Sequence, residues 1–359
     1  QPPIHTYPEN PNNIKSIVVL VNRPDWVLSL LSINLLTNST TMKKAIKIIG
    51  ISIGAIVLLL LVAGLYINIK GIPTYAVNAP DITVEIDSTR LARGEKLVGL
   101  TCAGCHRGEG GKLVGQHMAD VPAMFGEIWS PNITNHPTKG LGRYTDGELI
   151  HLLRTGIKRD GKYAPPYMAK LPHMSDEDLY SIVAYLRSDA PMVQSVDVEQ
   201  PPTKPSFLVK MLSNFVFKPL PYPQEEIVAP LKTDKVAFGR YIALGVADCN
   251  GCHSKDFTTN NAMEPEKSEG FFGGGTILLD EEGNEIISAN LTMHETGLAG
   301  WTEEEFIRCV KFGVRPDKTM VSSVMPKHTM LDDEEIGAIW AYLQTVPKID
   351  NTILRAAAE

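Results

Sequence analysis

The chain has 359 residues, of which 43% are hydrophobic and 21% are charged, and its formal net charge is −7. These proportions are ordinary for a globular protein, and the length corresponds to about two domains, each able to bury a core. No run of Lys and Arg is long enough to indicate a nucleic-acid partner.

Residues 1–41 show no pattern that predicts a fold. The chain opens on Gln1 and contains no Met before Met42. Two short apolar runs, 17–21 and 26–36, are separated by Asn-Arg-Pro-Asp, and neither is long enough to span a bilayer. Two interpretations remain open: either the segment is not part of the native product and translation begins at Met42, or it is an ordered extension.

Residues 42–70 predict a transmembrane anchor. Three lysines precede an uncharged apolar run of 20 residues, 48–67, and Lys70 closes the run. At 1.5 Å per residue such a helix crosses a hydrocarbon core of about 30 Å. The preceding lysines predict that the N-terminus is inside and the bulk of the chain outside. The alternative is a cleaved signal peptide, but its apolar core is usually shorter, and Tyr-Ile-Asn-Ile-Lys after this run is not a small-residue cleavage site.

One five-residue pattern occurs twice. Residues 102–106 are Cys-Ala-Gly-Cys-His, and residues 249–253 are Cys-Asn-Gly-Cys-His. Cys-x-x-Cys-His is the attachment signature of a c-type haem, in which the two thiols bind the porphyrin and the His binds the iron. A thioredoxin-like site would require a strand–helix unit, and a zinc site would require a paired second half nearby. We therefore predict two covalently bound haem c groups, held by Cys102, Cys105, His106, Cys249, Cys252 and His253.

The two motifs head two similar segments, 88–190 and 231–349, which predict two copies of one helical domain. The Asn-Ile-Thr at 132–134 matches the Asn-Leu-Thr at 290–292. Further on, both copies have a Thr-x-x-Glu capping box, a helix that a glycine ends, and a last amphipathic helix containing Ala-Tyr-Leu. The Pro-rich segment 191–230 between the copies predicts a linker. The apolar stretch 207–217 within it packs between the domains or contacts a partner subunit or the membrane surface.

The repeat also identifies candidates for the second axial ligand of each iron. Met168 and Met325 occupy equivalent positions before the last helix of each copy. Thioether ligation raises the potential of a haem and suits electron transfer. One rival pair, His136 and His294, is also equivalent and would give bis-His ligation.

Two other residues of interest have unlike partners in the second copy. His151 aligns with Arg308, which predicts an exposed helix face. Cys309 aligns with Leu152, which predicts a small buried apolar residue.

Together these features resemble the class I cytochrome c domain, present twice over most of residues 88–349. The resemblance implies a mainly α fold: two tandem cytochrome c domains after one N-terminal transmembrane helix. It assigns His106 and His253 as proximal ligands and Met168 and Met325 as distal ligands. The Asn-Ile-Thr, Gly-Leu-Gly and Met-Pro pieces are similar to cytochrome subunits of bacterial membrane-bound dehydrogenases and to anchored diheme cytochromes. The first copy departs from this pattern, because Met168 precedes Ala instead of Pro.

The resemblance implies a function in electron transfer and no catalytic residues of the chain's own. The haem domains of such proteins lie on the periplasmic side of the bacterial cytoplasmic membrane, which agrees with the lysines before the apolar run. We expect single electrons to pass between a membrane respiratory donor and an acceptor, with redox proteins such as a respiratory complex, a dehydrogenase or a terminal oxidase as partners. The alternative is a diheme cytochrome c peroxidase, which needs one iron with an open site; the matched Met168 and Met325 argue against it.

Overall fold

The computed structural model describes residues 39–119, 121–280 and 282–353. The two interpretations of residues 1–41 concern a segment that lies almost entirely outside the described residues. Among the described residues, the helices of seven or more residues are α1 Ser39–Lys70, α2 Ser88–Thr101, α3 Asp146–Thr155, α4 Asp176–Leu186, α5 Phe207–Phe215, α6 Lys235–Tyr241, α7 Glu303–Phe312 and α8 Asp333–Leu343. Four short strands form two antiparallel pairs: β1 Gly126–Glu127 with β2 Lys204–Pro205, and β3 Ile277–Leu279 with β4 Glu285–Ile287.

Helix α1 is the one helix in the described part of the chain that is long and apolar enough to cross a membrane. It contains 32 residues, and nearly all of its described side chains are exposed. A boundary between two compact units falls near its end, between Leu65 and Tyr66. Each unit is considered by itself below.

The unit that begins at Tyr66 contains both copies of the predicted domain, and each copy is built on one crossing of two helices. In domain 1 (residues 88–190) α2 crosses α4, and in domain 2 (residues 231–349) α6 crosses α8. A Cβ atom on Gly94 would lie 2.0 Å from the carbonyl oxygen of Ser181, and one on Gly239 would lie 1.8 Å from that of Ala338. Only glycine therefore allows the two backbones to approach this closely.

The predicted start and end of the middle helix of each domain are confirmed. Thr145 opens α3 and Thr302 opens α7, each with the reciprocal hydrogen bonds of a capping box. The glycines that end these helices, Gly156 and Gly313, adopt left-handed conformations with φ of 81° and 77°. These signals are local, and the sequence alone therefore locates both helices.

The Pro-rich segment 191–230, called the strap below, is ordered along domain 1. The Asn132 amide donates hydrogen bonds to two of its carbonyl oxygens, at Val196 (3.0 Å) and Val198 (2.8 Å). Strand β2 pairs with β1, and the amide of Leu220 donates to the Thr155 carbonyl oxygen. The segment predicted as a linker therefore covers domain 1 in addition to connecting the two predicted domains.

Buried and half-buried ion pairs join the two domains. Arg93 on α2 donates to Asp178 (2.7 Å) within domain 1 and to Glu335 (3.0 Å) of domain 2. Glu335 is 1% exposed and also accepts a hydrogen bond from Lys96. The Tyr241 hydroxyl of domain 2 in turn bonds Asp178 of domain 1. One hydrophobic cluster contains buried residues of both domains.

Domain 2 contains two more residues than domain 1 between the crossing glycine and the haem motif. The first motif cysteine lies eight positions after Gly94 but ten positions after Gly239. A π-helical segment, Ile242–Val246, follows α6, and Asp248 after it is left-handed with φ of 48°. The wider π turn absorbs extra residues, so the helix crossing and the motif keep their positions.

Candidate haem sites

Each motif forms a short helical turn, Ala103–His106 and Cys249–Cys252. None of the four motif cysteines forms a disulfide within the described part of the chain. Burial raises the pKa of Cys102 to about 11 and that of Cys249 to about 12, which keeps both thiols neutral. A redox or nucleophilic thiolate requires the opposite shift, so the environment does not fit a thioredoxin-like centre.

The two motif histidines are oriented in the same way. The Nδ1 of His106 lies 2.9 Å from the carbonyl oxygen of Pro131, and the Nδ1 of His253 lies 2.8 Å from that of Ala289. A carbonyl oxygen only accepts, so Nδ1 carries the proton and Nε2 is left with its lone pair. Burial lowers the pKa of both rings, which favours the neutral form that binds a metal.

A cavity of about 390 Å³ adjoins the first motif. Cys102, His106 and Met168 all line it, and its remaining wall is largely apolar, with Leu141 and Leu149 among the lining residues. The structure thus brings together the thiol, the proximal imidazole and the thioether that the sequence predicts for one haem. Such a mixture of an apolar wall and a few directed polar groups is typical of a cofactor site.

Cationic side chains concentrate on one part of this cavity wall. Arg143, Lys158 and Arg159 line it, and both guanidinium groups lie 5.9 Å from the ring centroid of Tyr144. Neither Arg143 nor Lys158 forms an ion pair with an acid among the described residues, and the pKa of Lys158 is lowered, chiefly by burial. Two propionates of a haem would supply the missing negative charge, so these residues fit the group.

The predicted distal methionines occupy matched turns. The Met168 amide donates to the Pro165 carbonyl oxygen, and the Met325 amide donates to that of Ser322, both at 3.0 Å. Both side chains are half-buried. Met168 lines the same cavity as His106. Their role as ligands stays a prediction.

The rival histidines, His136 and His294, both form contacts through Nδ1. The Nδ1 of His136 accepts the Lys139 amide proton at 3.1 Å, and Nε2 lies 3.6 Å from the Asp197 carboxylate on the strap. The Nδ1 of His294 lies 3.0 Å from the Thr296 hydroxyl. His136 is not among the residues that line the cavity of His106.

The Asn-x-Thr sequences brace the loops that orient the motif histidines. The Oδ1 of Asn132 accepts from the amide (2.8 Å) and hydroxyl (2.7 Å) of Thr134, directly after Pro131. Asn290 and Thr292 repeat this at 2.9 and 2.8 Å, directly after Ala289. Fixing these turns fixes the carbonyl oxygens to which the histidines donate.

His328 also lies in this region, and its counterpart in domain 1 is Leu171. It is 8% exposed. Burial and, secondarily, the nearby imidazole of His253 lower its pKa. The imidazole of His328 therefore lies within electrostatic reach of His253. The alignment of the two copies gave no sign of this, and the only signal in the sequence was that the residue is a histidine.

The expectation that His151 is exposed is wrong. Its side chain is 3% exposed and stacks on Tyr222 of the strap, with ring centroids 5.9 Å apart. The aligned residue in domain 2, Arg308, is exposed. The difference arises because the strap covers this helix in domain 1. Cys309, expected to be buried, is half-buried.

Among the described residues, no group of three or more His, Cys, Asp or Glu side chains could hold a metal ion by itself. Another cavity, of about 430 Å³, is lined by residues that include Phe271, Tyr342 and Ile349, and neither motif contributes to its wall.

A comparison with protein families matches the cytochrome c family model over residues 91–189. The matched range contains the first motif, its cavity and Met168. It falls within the predicted limits of domain 1, 88–190.

Curated relatives have similar descriptions. The chain is 27% identical over 280 residues to the cytochrome c subunit of a quinone alcohol dehydrogenase from Gluconacetobacter polyoxogenes, covering 74% of this chain and 58% of that one. It is 27% identical over 276 residues to the fructose dehydrogenase cytochrome subunit of Gluconobacter japonicus, covering 72% and 52%. It is 26% identical over 272 residues to a diheme cytochrome c-type protein of Cereibacter sphaeroides, covering 72% and 86%.

The chain thus spans little more than half the length of the two dehydrogenase subunits. Their similarity nevertheless extends over nearly three quarters of this chain, well beyond the range of the family model. The family match and these relatives agree with the motif, the histidine geometry and the cavity: this chain contains a cytochrome c domain and is related to the cytochrome c subunits of bacterial dehydrogenases.

Proposed function

We propose that this chain is a membrane-anchored diheme c-type cytochrome that relays single electrons between a membrane donor and an acceptor, as a subunit of a dehydrogenase complex. The observation that carries the proposal is the repeated motif, in which each histidine donates Nδ1–H to a backbone carbonyl and keeps Nε2 for iron. The names of the related dehydrogenase subunits support the electron-transfer role.

The residues of domain 1 have separable roles. Cys102 and Cys105 would hold the haem covalently, and His106 and Met168 would bind its iron. The haem supplies one-electron redox chemistry. Arg143 and Lys158 would neutralise its propionates, while the apolar wall excludes water. In domain 2 the covalent attachment would be through Cys249 and Cys252, and the iron would be bound by His253 and Met325.

Several features support a fixed relation between the two haem sites. Arg93 and Lys96 both bond the buried Glu335 across the domain boundary. The single compact unit of residues 66–359 contains both domains. Electrons would therefore pass between two groups held at a constant separation, with no domain motion needed for each transfer.

Helix α1 supports attachment to the bacterial cytoplasmic membrane. The lysines on its N-terminal side favour haem domains on the periplasmic face. From that face the chain would meet a reduced donor in the membrane and pass electrons to a periplasmic or membrane-bound acceptor.

The test is a spectroscopic count on the purified chain. Pyridine haemochrome analysis should give two haems per chain, and the oxidised protein should be low-spin with the weak red band of Met bound to ferric iron. Met168→Leu and Met325→Leu should each remove about half of that band if both sites share this ligation.

His328→Leu is the matched control in domain 2, since Leu is the natural residue at the equivalent position 171. It should leave both red bands unchanged. A single haem per chain, a high-spin component in the wild type, or loss of a red band in the His328 variant would contradict the symmetric relay. A high-spin component with peroxide turnover would favour the peroxidase alternative.

A further inference from the structure

The strap contains a helix with an unpartnered apolar face. In α5, Val209 and Ser213 are buried against the protein, at 1% and 0% exposure. Phe207 is 46% exposed and Phe215 is 66% exposed, and Met211 lies between them at four-residue spacing. At 100° per residue these three side chains form one stripe, which Leu208 and Leu212 widen.

The same helix is tied to the end of the apolar anchor. The Lys210 ammonium donates to the Asn68 side-chain oxygen at 2.8 Å. One turn later, the Asn214 amide donates to the Gly71 carbonyl oxygen at 2.9 Å. Asn68 is the first residue after the apolar run 48–67, so a spanning α1 would bring these contacts to the level of the lipid headgroups.

Three lysines lie on α5 and around its contact with the anchor. Lys70, Lys210 and Lys218 lie at the end of the anchor, on α5 and just beyond it. None of them forms an ion pair with an acid among the described residues. Tyr66, in the last turn of α1, is 63% exposed, and aromatic residues of this kind concentrate at membrane–water interfaces.

A neighbouring segment extends the apolar surface. The short turn Ala123–Phe125 packs against α5, and its Met124 is 61% exposed. The hydroxyl of Ser206 caps α5, and the backbone amide of the same residue donates to the Phe125 carbonyl oxygen at 2.9 Å. Domain 1 and the strap therefore contribute to the same surface.

We propose that α5 lies in the membrane interface, with the stripe of Phe207, Met211 and Phe215 inserted among acyl chains and the three lysines facing anionic headgroups. The proposal rests on the proposed membrane anchor and adds a second attachment to it. A helix with one apolar face and flanking cations is the form that peripheral attachment takes. Two attachments fix the orientation of domain 1, and with it the distance of its haem site from a donor within the bilayer.

The test uses the full haem-loaded chain reconstituted in vesicles of phosphatidylethanolamine and phosphatidylglycerol. In a Cys309→Ser background, single variants Phe207→Cys, Phe215→Cys, Leu231→Cys and Leu60→Cys are exposed to membrane-impermeant PEG-maleimide. The thioether-bound cysteines of the haem motifs do not react. Leu231 is the control, since it is 77% exposed and lies directly after the strap, outside α5. Leu60 reports on the anchor.

We expect Cys at 207 and 215 to react several-fold more slowly than Cys at 231, and Cys at 60 to be protected as well. After unfolding in SDS all four must react alike, which shows that each thiol is available. If positions 207 and 215 react as fast as 231 while 60 stays protected, the interfacial helix is overturned, the anchor stands, and the face is left for a protein partner. If position 60 also reacts fast, the anchor fails and the inference fails with it.

Discussion

The two domains agree closely where they orient the motif histidines and differ in what covers them. The distances from the histidine Nδ1 to the carbonyl oxygen are 2.9 and 2.8 Å. At the helix crossings, a Cβ atom added to the glycine would lie 2.0 Å (domain 1) or 1.8 Å (domain 2) from a backbone carbonyl oxygen. The segments that cover the two domains differ. Domain 1 is wrapped by the strap, whereas domain 2 has the β3–β4 hairpin. Domain 2 also has eleven more residues between His253 and Asn290 than domain 1 has between His106 and Asn132.

The two proposed haem sites share the features that orient the histidine and differ in the surface around it. Orientation of the proximal ring depends on a carbonyl oxygen in a braced loop, and both copies retain that arrangement. The surface around the site differs between the copies. Leu171 of domain 1 corresponds to His328 of domain 2, and His151 corresponds to Arg308. Differences in potential between the two sites are therefore expected to arise from the coverings.

Substitutions at the two helix crossings are expected to have the largest effect on stability. Gly94→Ala and Gly239→Ala should each destabilise the chain by about 3 kcal/mol, because the new methyl group meets backbone that cannot move aside. Chemical denaturation followed by circular dichroism measures the loss. Gly300→Ala is the control, since a Cβ there meets nothing within 4 Å. A crossing variant as stable as this control would contradict the structure.

The braced loops allow a sharper distinction. Asn132→Asp keeps the oxygen that accepts from Thr134 but loses the amide that binds two strap carbonyls, at a cost of about 2 kcal/mol. It should also open the strap to limited proteolysis. Asn290→Asp, whose amide binds Ile349 and Thr296, should cost a similar amount and leave the strap protected. Equal protease sensitivity in the two variants would argue against the wrapped strap.

Substitution of His151 is expected to have the smallest effect on stability, and that effect should depend on pH. Burial lowers its pKa, so the folded state holds it neutral while the unfolded state takes up a proton below about pH 6.5. Its contribution to stability is thus present above that pH and is lost as the pH falls. In urea titrations from pH 7 to pH 5, His151→Phe should therefore lose less stability than the wild type.

The matched control for this prediction is Arg308→His. It introduces a histidine at the equivalent but exposed position, and it should leave the pH profile of the wild type unchanged. If the Phe variant follows the wild-type profile as well, His151 is not the titrating group.

Local signals made the motifs, the capping boxes at Thr145 and Thr302, and the helix-ending glycines predictable from the sequence. Each depends on residues within four positions of one another. The repeat then supplied the pairing of Met168 with Met325, although their ligand role still rests on register.

The strap and the domain contacts were not predictable in this way. Proline content indicates that 191–230 lacks long helices, but it does not indicate that the segment binds Asn132 or stacks Tyr222 on His151. The ion pair between Arg93 and Glu335 joins residues 242 positions apart, and no period in the sequence encodes it.

That ion pair has a consequence for how the chain is made. During synthesis domain 1 emerges first, with Arg93 already paired to Asp178 and Lys96 free to remain in water at little cost. Glu335 emerges last and becomes almost completely buried. A buried carboxylate without a cation is expensive, but here both cations are in position before the acid arrives. The order of the two domains along the chain therefore spares the nascent protein an unpaired buried charge.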